Sequence, residues 1–390
     1  MTATDRSGHG SGTPDGGHPG RPGHTRGVRV FAAGLLALGL AACAGPSATT
    51  STPAGTPGTE PTPTATPTQT ATESGTLTVV THDSFALSQS LLDQFAAETG
   101  YTVTYVAPGD AGSLTNQLVL TKDSPLGDVV YGIDNTFAGR ALAEDVVVPY
   151  QPTGLEESER TTFAADETNR LTPIDYGDVC INADLAWFTE HGLEVPTTLD
   201  DLVKPEYRDL LVVSNPAASS PGLAFLVETV AAKGEDGYLA YWQQLKDNGV
   251  LVAQDWTEAY SVQFSGSAGK GPRPLALSYA TSPAFEVVDG ETHTGALLGT
   301  CFRQVEYAGV IAGAQNAVGA QRFIEFLVSD EVQADIPEQM YMYPVKHGVE
   351  LPEEWVQFAP LAQRPYTMSA EEITAGRDTW VRDWATTVIG

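Results

Sequence analysis

From Leu77 to the end of the chain, short apolar runs alternate with stretches of helical periodicity. Leu77 to Thr81 reads as a strand. Ser84 to Thr99 then carries Phe85, Leu87, Leu91, Leu92 and Phe95 at helical spacing and stops at Gly100, a residue suited to a C-cap. Tyr101 to Val106 is a second strand, Gly112-Ser113 opens a helix through Leu120, Asp128 to Gly132 is a third strand, and Asn135 to Ala143 a third helix. Strand alternating with helix predicts an α/β fold, a parallel sheet flanked by helices, in which ligands sit beyond the carboxyl ends of the strands. The segments at those ends are His82-Asp83-Ser84, Gly109 to Ser113, and Asp134-Asn135, all polar or glycine-containing turns. A second α/β block follows. Its predicted strands are Leu210–Val213, Pro274–Tyr279 and Phe302–Ala312. Its predicted helices are Leu199–Val203, Gly222–Ala232, Gly237–Lys246, Thr257–Phe264, Ala317–Val328 and an amphipathic Ala370–Ile389.

The N-terminal pattern differs. Arg26 and Arg29 precede an apolar run from Val30 to Leu40, too short to cross a bilayer but the right length for a secretory signal. It ends Leu40-Ala41-Ala42-Cys43, which resembles the bacterial lipobox, in which the Cys is lipidated; a plain signal with a chance Cys is the alternative. Residues 1–43 are therefore expected to be a signal peptide. Residues 44–75, rich in Thr, Pro, Ser and Ala, bury no core and read as a semi-stiff tether. The expectation is an extracytoplasmic chain held to the membrane by a lipid on Cys43.

Charge narrows the partners. The chain carries −29, and because four Arg and four acids cancel within residues 1–75, all of it falls on the folded part. Such a surface repels phosphate backbones, which argues against nucleic acid, and is compatible with solubility or with a cationic ligand. Enzyme signatures are missing: there is no Gly-x-Ser-x-Gly, no His-Glu-x-x-His and no phosphate-binding Gly-x-x-x-x-Gly-Lys-[Ser/Thr], and Ser265-Gly-Ser-Ala-Gly-Lys270 departs from the last at both ends. Beyond residue 43 the four His (82, 191, 293, 347) lack chelate spacing. No catalysis, metal or cofactor is expected.

The informative residues are aromatic and small. Asp255-Trp-Thr-Glu-Ala-Tyr260 sets Trp256 just before a helix with Tyr260 a turn later. Leu277-Ser-Tyr-Ala-Thr-Ser-Pro-Ala-Phe285 ends a strand with Tyr279 and Phe285, and Tyr341-Met-Tyr-Pro344 adds a third cluster. Each alone reads as core packing; three at strand or loop ends suggest a stacking box for a flat, electron-poor ring. Ser219-Ser-Pro-Gly222 precedes an apolar helix, with Ser220 expected as N-cap and Pro221 as first helical residue. Such a start either caps simply or binds an anion through its N–H groups, and Gly112-Ser113 makes the same offer.

The segments LTVVTHDSF, DVVYGIDNT, PIDYG, NPAASSPGL, DWTEAY, LSYATSPAF, FRQVE and MYPV occur in this order. Over residues 76–390 they resemble the thiamine-binding component of ABC importers, in the iron, polyamine and thiamine branch of periplasmic binding proteins. The resemblance implies a two-lobed, type II periplasmic-binding-protein fold with lobes joined by crossover strands. It also implies thiamine or a thiamine phosphate in the cleft, and a permease and ATPase as partners of a monomer. Ferric ion or a polyamine is the alternative cargo. By position it implies Trp256 and Tyr279 for aromatic contact, Asp110 and Ser113 from the first lobe, and Ser220 and Gly222 for phosphate. Tyr260 and Asp83 join the candidate site. Three positions depart: His82 replaces a Tyr, Phe285 a Tyr and Tyr341 a Trp, which keeps three flat rings but introduces a titratable one. The chain order of such proteins puts lobe one at 76–178 with 305–345, and lobe two at 179–304 with 346–390. Cys180 and Cys301, flanking the crossover strands, are expected to form a disulfide, two buried thiols being the alternative.

Overall fold

The computed structural model describes residues 75–390. The expected signal peptide with Cys43, and the expected linker apart from Gly75, lie outside the described residues. Among the described residues ten strands form one sheet: β1 (Gly75–Thr81), β2 (Tyr101–Val106), β3 (Val129–Asp134), β4 (Val147–Val148), β5 (Thr172–Asp184), β6 (Leu211–Ser214), β7 (Leu251–Ala253), β8 (Leu275–Tyr279), β9 (Thr294–Ile311) and β10 (Tyr343–Pro344). Their order is β2-β1-β3-β9-β5-β8-β6-β7, with β4 added to β9 and β10 to β5.

β1, β2 and β3 are mutually parallel, as are β6, β7 and β8, and between these two sets run β5 and β9, antiparallel to each other. β5 has 13 residues and β9 has 18, so both extend through the two sets and join them into two lobes. The apolar pattern marked only parts of these strands. Their remaining positions include Asp175, Asp178, Asn182 and Gln304, which are fully buried polar groups and interrupt any hydrophobic run. Cys180 and Cys301 face each other across the pair and are bonded, with Cα atoms 4.2 Å apart.

Other differences have local causes. The helix expected from Ser84 begins at Gln89, because Ser88 is tied by its N–H and hydroxyl to Asp335. It ends, as expected, on a left-handed Gly100. Leu199–Val203 is a set of turns: Asp201 accepts the N–H groups of Thr197 and Thr198 and so competes with helical bonding. Thr257–Phe264 is a π-helical turn over Glu258–Gln263.

Two helix-covered cores follow from the pattern. One packs Leu77, Val79, Phe95 and Tyr101 against Phe323 and Ile324; the other runs from Val80, Leu114 and Ile133 in the first lobe to Phe225, Trp242 and Leu277 in the second. The C-terminal helix Ala370–Val388, started by a Ser369–Glu372 capping box, was expected with the second lobe. It touches both. Trp384 meets Trp242 edge to face at 5.6 Å, while Arg377 lies 4.7 Å over the Phe137 ring and Thr374 packs on Gly139. Among the described residues no helix is long and apolar enough to cross a membrane.

Candidate functional site

The parallel strands of the two lobes point their carboxyl ends at one another, and the loops leaving them meet. From the first lobe, β2 leads through Gly109, at φ 126°, to Asp110, which caps the helix Ala111–Leu120. Its carboxylate accepts the Ala111 N–H at 2.7 Å and also, from across the cleft, the Ser220 N–H at 3.3 Å. One side chain thus caps two helices, one in each lobe. Beside it, Gly112 N–H donates to Ala218 O at 3.1 Å, an approach so close that a Cβ on Gly112 would sit 2.6 Å from that oxygen. The Ser220 hydroxyl in turn donates to Asp134 at the end of β3.

The helix start on the other side differs from expectation in its cap. The N-cap of the helix Ser220–Lys233 is Ser219, one residue earlier than expected, and its hydroxyl accepts the Gly222 N–H at 3.5 Å. Gly222 is seated on the backbone of Ser214 and Asn215, with room only for a hydrogen. The N–H groups of Ser220 and Gly222, the two residues expected at a phosphate, bond to Asp110 and Ser219 in this structure. Ser113 lies partly exposed next to Gly109, and Asp83, whose N–H donates to Gly109 O at 3.2 Å, is exposed at the rim.

The floor is a buried polar cluster. His82 leaves the end of β1 with its ring against Gly132, which occupies the bulge in β3 at φ 98°; any Cβ there would overlap the imidazole. His82 Nε2 is 3.4 Å from Glu306 Oε2, in ion-pair range. Glu306 also accepts Tyr131 Oη–H at 2.9 Å and Gln304 Nε2–H at 3.1 Å. Tyr131 contacts Asp175 as well, which stands opposite Glu306 in the β5–β9 register. Burial pushes Asp175 well above the ordinary carboxylate range, helped by the neighbouring Glu306 charge. Burial acts on Glu306 in the same direction, but His82, Tyr131 and Gln304 outweigh it and hold Glu306 below that range. Asp134 is pushed up to about 6 by burial. His82 would be lowered by burial, yet Glu306, with Asp110 and Asp83, raises it above 6.5.

The aromatic wall belongs to the second lobe. Asp255 at the end of β7 accepts the Glu258 N–H at 2.8 Å and so starts the turn that carries Trp256. Trp256 stacks on Tyr260 at 5.5 Å and 9°, meets Tyr279 edge-on at 6.4 Å, and donates its indole N–H to Ser278 at 2.9 Å. Tyr260 Oη–H donates to Glu286 at 2.9 Å. Tyr279, at the end of β8, accepts Gln304 Nε2–H at 3.1 Å, and its hydroxyl feels Glu306 and Asp110. Trp256 and Asp110 are thereby linked through Tyr279. Phe285 and Tyr341 form a second aromatic pair, edge to face at 4.7 Å, with Tyr341 near-parallel to Trp355. It connects to the first group through Glu286, the neighbour of Phe285, which accepts the Tyr260 hydroxyl.

Sequence reasoning placed Asp134 at a strand end but missed Glu306, Gln304, Asp175, Tyr131 and Trp355. The first four of these lie inside the segments FRQVE, PIDYG and DVVYGIDNT that carry the resemblance, so a signal existed; Trp355 had none.

Two lobes on crossover strands, with polar strand ends facing across the junction, define a two-lobed binding protein of the type II periplasmic class. The chain belongs to the bacterial extracellular solute-binding protein family, whose profile matches residues 124–361. Thiamine-binding periplasmic proteins are its relatives. That of Escherichia coli is 30% identical, the match covering 79% of this chain and 92% of the relative; that of Brucella suis is 28% identical, over 79% and 91%. A solved structure described as a periplasmic thiamin binding protein superposes with a TM-score of 0.71 at 27% identity, covering 80% of this chain and 96% of the other.

Proposed function

We propose that this protein captures thiamine outside the cytoplasm and delivers it to an ABC importer. The observation that carries the reading is the pairing of an aromatic wall (Trp256, Tyr260, Tyr279) with the carboxyl groups of buried Asp134 and Glu306 and half-buried Asp110 where the lobes meet. Stacking and cation–π attraction suit a flat cationic ring, and the carboxylates supply the opposing charge. The relatives' names support the same ligand. Among the described residues no group of three His, Cys, Asp or Glu is placed to hold a metal ion.

In this reading β5 and β9 serve as the hinge, and the lobes divide near residues 178 and 305. A lipid on Cys43 would hold the protein at the membrane beside its permease, and the protein acts as a binding module with no reaction of its own. Because both helix starts at the junction bond to protein groups, phosphate esters gain nothing over thiamine itself. Titration calorimetry with thiamine, its monophosphate and its diphosphate tests this. Submicromolar binding of all three, with the esters no tighter, is the expected result. No heat with any of them removes thiamine as the ligand. Native mass spectrometry of the protein as purified provides a second check, through the mass of any co-purified species.

A further inference from the structure

The His82 ring is engaged at both nitrogens, and the two contacts favour different charges. Nδ1 accepts the Ser84 N–H at 3.2 Å, which requires that nitrogen to be bare. Nε2 faces Glu306 at 3.4 Å, which favours the imidazolium. The groups around the ring come from every neighbouring element: Glu306 from β9, Asp110 from the head of the helix Ala111–Leu120, Asp83 beside it in the chain, and Tyr131 from β3. Behind Glu306 stand Asp175 on β5, Asp134 at the end of β3 and Tyr279 on β8. None of these is a Lys or Arg. A buried carboxylate needs a positive partner, and in this frame His82 is the one at hand.

We propose that a cationic ligand and the proton on His82 compete for the charge of Glu306: binding the cation sends one proton from His82 to solvent. This rests on the thiamine reading above and adds a residue pair to it. The proton that leaves is the one on Nδ1, so the imidazolium becomes neutral imidazole, water takes the proton, and the Ser84 N–H bond is restored. Glu306 keeps its negative charge throughout and exchanges one positive partner for another. Affinity consequently rises with pH over the range in which the unliganded His82, raised above its ordinary value, loses its proton.

The test is calorimetry of thiamine binding between about pH 6 and 8.5, in buffer pairs of different ionisation enthalpy. The expected result is release of up to one proton per thiamine bound, with the dissociation constant falling by as much as about tenfold per pH unit before it levels. His82→Tyr, and His82→Gln as a second variant, should flatten both. An uncharged isostere of the thiazolium should bind the wild-type protein without proton release. Binding with no buffer-dependent heat overturns the exchange while leaving the ligand assignment intact, as does proton release that persists in the His82 variants. Absence of heat at every pH overturns the thiamine reading and this proposal with it.

Discussion

Trp256 is held by a stack on Tyr260 and by its indole N–H bond to Ser278, so its face is presented in one orientation. Trp256→Ala should weaken thiamine binding by about 1–3 kcal/mol, the usual cost of losing a stacked aromatic anchor, as measured by calorimetry. Glu228 offers a contrasting case. It sits in the middle of the helix Ser220–Lys233, fully buried, with neither carboxylate oxygen bonded. Burial raises it well above its ordinary 4.5, so the folded state holds a proton that the unfolded chain gives up. Stability from this group is therefore intact below about pH 4.5 and declines as pH rises past it. Glu228→Gln should be more stable than wild type by at least about 1 kcal/mol at pH 8 and lose that advantage near pH 5, by urea unfolding. The aromatic residues that meet at the junction, Trp256, Tyr260 and Tyr279, stood out in the sequence because they cluster at strand and loop ends. Glu306 and Asp175 did not: the chain has 49 acidic residues, and only burial sets these two apart.

At the level of elements, the parallel strands β1, β2, β3, β6 and β8 were readable from their apolar runs, whereas β7, only three residues long, was not. β5 and β9 were read only in fragments. Each must pass through the polar floor of the site, so each carries buried polar residues where a hydrophobic pattern would call for Val or Leu. Their pairing makes the Cys180–Cys301 bond close a loop with a sequence separation of 121. In the chain-entropy description such a bond stabilises the fold by about 5 kcal/mol. Cys180→Ala together with Cys301→Ala should lower the unfolding free energy by several kcal/mol while the native far-ultraviolet dichroism persists. Full stability in the double variant would show that the β5–β9 ladder alone sets the register.

The whole molecule is organised around a junction that several elements cross. The C-terminal helix braces both lobes, through Trp384 on one side and Arg377 on the other, and the larger core runs between them. At the front, Gly112 allows the first lobe to touch Ala218. Gly112→Ala should hold the lobes apart, increase the radius of gyration measured by small-angle scattering, and weaken thiamine binding at least about tenfold. None of this could be read from periodicity, since it depends on how two separately legible blocks meet. The shared cap at Asp110 carries a consequence for the transporter. A bond from one lobe to the helix start of the other is made by protein groups alone, so it favours closing whether or not cargo is aboard. A permease that recognises the closed outline would then idle, turning over ATP at a low rate without import, and Asp110→Ala would quieten that idle current.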